Sequence, residues 1–196
     1  MREFVILARK APVDPERFLG SFGENSRVEY LAQAMQHALL IAKGHRADTR
    51  LTLVLENSAD FSRAIIIDGA SLGSLKGWTE RALVEFLVDV LRRGKGLAKG
   101  EEATFIDGVT VSATSFEHLI RNHAYALLVL DPKGPDIRTE VELDDKLFVM
   151  TDHIPMPRNT LKYMRRLGAS SVSLGPVMLH TAQCISVIHN ELDRRA

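Results

Sequence analysis

The stretch "SSVSLGPVMLHTAQCISVIHNELD" (residues 170–193) runs from a short β-prone segment through Gly175-Pro176 into a helical one, and it carries the chain's single cysteine, Cys184. A strand that stops at a tight turn and feeds a helix leaves backbone amides free at its carboxyl end, which is where open α/β sheets hold small ligands. Two similar units precede it. "YALLVL" (125–130) ends at the turn "DPKG", and "KLFVM" (146–150) ends at "TDHIPMP". The helical segments "NTLKYMRRLG" (159–168) and "HTAQCISVIHNELDRR" (180–195) follow the second and third strands. The C-terminal third therefore alternates strand and helix as parallel α/β units do.

Upstream, Arg2 to Arg9 is rich in β-formers and "APVDP" breaks it, with a loop expected to about Asn25. Ser26 and Glu29 have the spacing of a capping box, and Val28, Leu31, Met35, Leu39 and Ala42 recur at helical intervals until Gly44. "RLTLVLE" (50–56) and "RAIIID" (63–68) predict strands joined by a polar turn. "TERALVEFLVDVLRR" (79–93) sets Leu83, Phe86, Leu87, Val90 and Leu91 on one helical face. A glycine-rich charged loop, "GKGLAKGEEA", comes next. "TFIDGVTV" (104–111) predicts a hairpin around Asp107-Gly108, and "SFEHLIRNH" (115–123) a short helix.

With 196 residues, 45% of them apolar, the chain can bury a proper core. Its 25 basic and 25 acidic residues cancel, so composition gives no global reason to expect a polyanionic partner, although local basic patches are compatible with it. One cysteine forms no intrachain disulfide, the N-terminus lacks a signal-peptide pattern, and no apolar run approaches the roughly 20 residues of a membrane span. The expectation is a cytoplasmic protein with no membrane association. The glycine-rich nucleotide loops, H-E-x-x-H, C-x-x-C and G-x-S-x-G are all absent from the sequence.

His180 and Cys184 stand four apart on one helical face, a spacing used by metal ligands, with His153 or Asp152 as conceivable further donors. No second cluster accompanies them and no metal is expected. Beside Ile185, Ile188 and Leu192, Cys184 reads as a small buried hydrophobe. His189 and Asn190 read as hydrogen-bonding groups within the helix or against a neighbouring loop. "RNTLKYMRR" (158–166) and "RRGKGLAKG" (92–100) are basic stretches, equally consistent with phosphate contacts and with solvated helix faces.

Taken together, "MREFVILARKA", "SRVEYLAQAMQHALL", "TDHI" after a strand and above all "SLGPVMLHTAQCISVIHNELDRR" resemble the tRNA pseudouridine N1-methyltransferase family, the TrmY-like branch of the SPOUT methyltransferases. The resemblance covers nearly the whole chain, and "HTAQC" is similar to the family's bacterial branch. It implies a single domain over residues 1–196: an α/β fold, mostly parallel, with helices on both faces and a C-terminal trefoil knot over about residues 125–196. It also implies S-adenosyl-L-methionine in the knotted loops, a homodimer, and RNA, tRNA in the family, as substrate.

Carried onto this sequence, the cofactor pocket comprises Leu130, Thr151, Leu174, Gly175, Leu179 and Cys184. Thr151 stands where archaeal-type members tend to have glycine, which adds a Cβ and a hydroxyl there. The implied reaction is methylation of pseudouridine N1, for which Asp152 and Asp60 are conceivable bases, while Arg27 is placed to hold substrate phosphate or a partner subunit. No catalytic residue is assigned at this stage. The competing readings are a methyltransferase acting at a different RNA site, and a module of the same fold that binds S-adenosylmethionine or RNA without transfer.

Overall fold

The computed structural model describes residues 1–139 and 142–195. Its centre is β1 (Arg2–Pro12), whose residues Phe4 to Ala8 are buried on both sides of the sheet. A strand buried on both faces needs a continuous apolar run rather than an alternating one, and "FVILA" provides it. β1 pairs in parallel with β4 (Thr49–Asn57) on one side and with β9 (Lys146–Thr151) on the other. Beyond β9 lie β8 (Ala126–Leu130) and β10 (Ser170–Val172), also parallel. Beyond β4 the sheet turns antiparallel through β5 (Arg63–Asp68), β7 (Val109–Ser112) and β6 (Glu102–Ile106). The order is β10-β8-β9-β1-β4-β5-β7-β6, with a separate two-residue hairpin of β2 (Leu40–Ile41) and β3 (Gly44–His45).

Alternation along the strands divides the helices between two layers. Phe4, Ile6, Leu53, Ile65, Leu128 and Phe148 point to one face. They meet α1 (Pro15–Gly20), α2 (Glu29–Leu39), α3 (Glu80–Arg93) and α6 (Thr181–Asp193). Val5, Leu7, Val54, Leu127, Leu147 and Val149 point to the other face. There they meet Phe116 and Ile120 of α4 (Phe116–Arg121) and Met164 of α5 (Arg158–Arg166). The expected α/β architecture with helices on both faces is present, and among the described residues four of the seven pairings in the eight-stranded sheet are parallel. Among the described residues no helix is long and apolar enough to cross a membrane.

Local details depart from the sequence expectations in three places. The segment before Asn25 is not all loop, because Asp14 caps α1 by accepting from the Arg17 amide at 2.9 Å, with Pro15 opening the helix. The Ser26–Glu29 capping box does not form. Arg27 takes a left-handed φ of 48°, the helix starts only after Val28, and the Glu29 carboxylate accepts instead from the Gly23 amide at 3.3 Å. The same helix ends at Leu39, where β2 begins, so Ala42 lies in the turn of the small hairpin. Elsewhere the Asp107-Gly108 hairpin forms with Gly108 at φ 76°, and Thr79 and Ser115 cap α3 and α4.

His189 fastens the last helix to the rest of the molecule. Its Nε2 lies 3.0 Å from the Ala38 carbonyl at the end of α2, and its Nδ1 lies 3.1 Å from an Arg2 guanidinium nitrogen at the start of β1. With Arg2 donating, Nδ1 accepts and Nε2 carries the proton, so the ring is neutral. Burial, reinforced by the positive charge of Arg46, pushes its pKa down to about 4. Between pH 6.5 and about 4 the unfolded chain holds a proton on this residue that the folded chain does not, so His189 makes stability fall on acidification through that window. In His189→Gln, which keeps a donor for Ala38, that contribution is expected to vanish. Urea unfolding of both chains should show the wild-type advantage shrinking by up to about 1.4 kcal/mol per pH unit on acidification; a pH-independent difference would contradict the neutral buried ring.

Candidate active site

Parallel pairing brings the carboxyl ends of β8, β9 and β10 to one edge of the sheet, with Val129 beside Val149 and Leu130 beside Val172 in register. A cavity of about 940 Å³ opens there, at the large end of the usual range for small-molecule sites. All six positions expected to form a ligand pocket line it. Leu130 ends β8, Thr151 ends β9, Leu174 and Gly175 follow β10, and Leu179 and Cys184 come from the approach to α6 and its first turns. Gly175 has φ 118°, a backbone state that side chains disfavour. Its amide donates to Ser173 Oγ at 3.2 Å, which closes the turn.

The loops around the cavity are tied together by backbone and side-chain bonds. The segment after β8 runs alongside the end of β10, where Asp131 N donates to Val172 O, Ser173 N to Pro135 O and Ile137 N to Ser173 O at 2.7–3.0 Å. Gly134 packs so closely here that a Cβ would meet the Val172 backbone at 2.9 Å. Thr181, at the start of α6, donates through Oγ1 to the carbonyls of Thr151 and Asp152. One hydroxyl thus clamps the last helix to the end of β9. Thr151 does intrude as a side chain, but its carbonyl faces Thr181 and its position on the cavity wall is kept.

Cys184 is half-buried against the core, with its thiol directed at the Leu179 carbonyl at 3.8 Å. Burial raises its pKa to about 11, so it stays a neutral thiol at neutral pH and is suited to lining a wall rather than attacking. Among the described residues no group of three or more His, Cys, Asp or Glu side chains gathers as a metal site. His180 and His153 instead both make edge-on contacts with the Tyr30 ring, with centroids 5.5 and 5.8 Å away. Arg27 lies over the same ring at 5.6 Å and donates to its hydroxyl at 3.2 Å. Tyr30 was invisible to sequence reasoning because its position in a helical run says nothing of the distant histidines it meets.

Two polar groups on the cavity wall, Asp152 and His153, are neighbours. Asp152 is buried, with one carboxylate oxygen accepting from the Ile154 amide at 3.1 Å. Its other oxygen, Oδ2, lies 3.2 Å from His153 Nδ1, close enough for ion pairing but not aligned as a hydrogen bond, and both atoms are buried without another partner. Burial pushes the Asp152 carboxyl above its ordinary range. Asp60, the other conceivable base, does not line the cavity. It is bonded to Ser58 and Arg63, and these contacts with the Phe61 amide lower its pKa to about 2.

A family model described as "Putative SAM-dependent RNA methyltransferase" matches residues 1–196. A protein of Shewanella baltica named "Putative pseudouridine methyltransferase" is 40% identical over 195 residues, covering 98% of each chain. One from Vibrio cholerae with the same name is 39% identical, covering all of this chain and 98% of its own. The solved structure of Archaeoglobus fulgidus Nep1 bound to S-adenosylhomocysteine superposes with a TM-score of 0.62 over 98% of this chain and 97% of that one. At 14% identity that likeness is one of fold.

If the Thr181 hydroxyl is what clamps α6 to β9, Thr181→Val should lower the urea unfolding midpoint with an unchanged m-value. The expected loss is about 1–2 kcal/mol for two buried carbonyls deprived of their donor. An unshifted midpoint would mean that the junction is held by packing alone.

Proposed function

The chain belongs to the SAM-dependent RNA methyltransferase family that matches it from end to end, and from that premise we propose that it transfers a methyl group from S-adenosyl-L-methionine to N1 of a pseudouridine in RNA. The observation that carries this reading is the cavity at the three strand ends. Adenine needs a flat apolar slot with hydrogen-bonding backbone at its edge. Leu130, Leu174, Leu179 and the neutral thiol of Cys184 supply the apolar wall, and the end of β9 at Thr151 and the turn at Gly175 supply backbone. When bound, the cofactor supplies the electrophilic methyl of its sulfonium. The names of the Shewanella and Vibrio relatives support pseudouridine as the acceptor.

The acceptor N1 carries a proton that must leave as the nitrogen becomes nucleophilic. His153 is the group this reading assigns to receive it. Its Nδ1 faces the Asp152 carboxylate, so Nε2 is the nitrogen left for the acceptor, and the buried carboxylate stabilises the imidazolium that results. Hydrogen bonds of this kind are often misaligned before substrate arrives and tighten when it does. Tyr30 packs edge-on to the His153 ring and holds it in place.

The remaining features belong to the same proposal. The chain forms one domain whose last seventy residues thread into a trefoil knot, a topology compatible with the order β10-β8-β9-β1 and with the loop after β8 running beside β10. Two copies make the working unit in the cytoplasm, and tRNA, through its T-loop, is the RNA.

Incubating the protein with cofactor and a pseudouridine-containing stem-loop RNA, followed by nucleoside mass spectrometry, should yield 1-methylpseudouridine. Binding of cofactor without this product would leave a non-catalytic module, and a methyl group on another nucleoside would move the substrate. His153→Ala should cut turnover by roughly 10²–10⁴-fold while leaving S-adenosylhomocysteine affinity within a factor of two; undiminished turnover would remove His153 from the proton transfer.

A further inference from the structure

Formal charge cancels over the whole chain, yet the cations are not neutralised evenly. Arg2, Arg46, Arg50, Arg63 and Arg92 each have a carboxylate oxygen within 3.2 Å. On α5 the pattern is reversed. The helix contains no acidic residue, and Arg158, Lys162, Arg165 and Arg166 are all exposed. Among the described residues none of these four has a carboxylate within ion-pairing distance. Met164 is buried and Leu161 and Tyr163 pack inward, which leaves the cations on the outer side over a helix span of about 12 Å.

The neighbouring elements extend this strip. Arg121 at the end of α4 donates to the Tyr163 hydroxyl at 2.6 Å, and Arg121 and Arg166 lie over the Tyr163 ring at 5.6 and 5.9 Å. Two guanidinium groups thus border one tyrosine ring where the outer face of α5 meets the end of α4. Glu117, the acidic residue of α4, stands one turn before Arg121, yet among the described residues the two form no ion pair. At the other end, Arg165 and Leu161 line the cavity, and Arg27 stands at the same cavity without an ion-pair partner among the described residues.

From this juxtaposition we infer that the outer face of α5, continued by Arg121 of α4, is the track for the phosphate backbone of the RNA whose target base enters the cavity. The inference rests on the RNA-methyltransferase reading and specifies where that substrate lies. Unpaired arginines and lysines in a row bind phosphates without reading sequence, and their contribution is salt-dependent because counterions are released. The planar guanidinium groups beside Tyr163 also present donors suited to two phosphate oxygens at once.

The test compares a triple variant, Arg158→Ala/Lys162→Ala/Arg166→Ala, with a control in the other basic stretch, Arg93→Ala/Lys95→Ala/Lys99→Ala. Affinity for a fluorescent pseudouridine-containing stem-loop is measured by anisotropy across salt concentrations, and S-adenosylhomocysteine affinity by calorimetry. The α5 variant should bind RNA about tenfold or more weakly at 0.1 M-range salt. Its dependence of log K on log salt should be shallower by about 2, some 0.7 per lost single-strand phosphate contact. Cofactor affinity should stay within a factor of two, and the control should match the wild type in RNA binding. Unchanged RNA affinity and slope in the α5 variant, with cofactor binding intact, would overturn the track while leaving the methyltransferase reading in place. So would a loss of self-association in the α5 variant by sedimentation, which would make the face a subunit interface. Absence of cofactor binding in the wild type would instead strike the underlying reading.

Discussion

Parallel hydrogen bonding of β9 between β1 and β8, with β10 added outside β8, is the constraint from which the rest of the molecule follows. Strands that run the same way must end at the same edge, and each end releases backbone groups that the sheet no longer satisfies. In this protein three such ends sit side by side, and the loops leaving them are bonded to neighbouring strand ends and loops. Thr181 closes the arrangement by supplying one hydroxyl to two of the freed carbonyls. A cleft results whose wall is apolar and whose rim is backbone.

The two helix layers then serve different ends. The layer of α1, α2, α3 and α6 is the thicker one and holds most of the fully buried side chains, and His189 locks its last helix onto β1 and α2. The layer of α4 and α5 covers the sheet more thinly, with Phe116, Ile120 and Met164 facing inward. Its outward side is left cationic. The cavity lies where both layers meet the strand ends, so Tyr30 and His180 reach it from one layer and Arg165 from the other. The opening is thus lined by elements of both helix layers.

Much of this arrangement was legible in the sequence because it depends on local pattern. Three apolar runs, each closed by a turn containing Pro or Gly, marked the three strand ends, and the family resemblance named six residues, four of them in "SLGPVMLHTAQC", that the fold brings to one cavity. The Asp107-Gly108 turn formed as its residue types predict. Where the reading failed, a longer-range demand had won. Ser26 lost its capping role because Arg27 turns left-handed to bring its side chain over Tyr30. Asp14 caps α1 although the prolines on either side of it signal only a break in β1 at the level of sequence. The near pairing of Asp152 with His153 and the edge-on contacts of Tyr30 join groups by a fold, not a spacing, and no periodicity encodes them. The uneven ion pairing of arginines was hidden for the same reason, since composition gives a net charge of zero.

The central claim, that the three strand ends grip an adenosyl group, is tested most directly by a crystal structure of the protein with S-adenosylhomocysteine. The account predicts the adenosyl moiety against Leu130, Leu174, Leu179 and Cys184, with its polar edge on backbone at Thr151 and Gly175. Electron density for the ligand elsewhere, or a cavity filled by the protein's own side chains at saturating ligand, would contradict it.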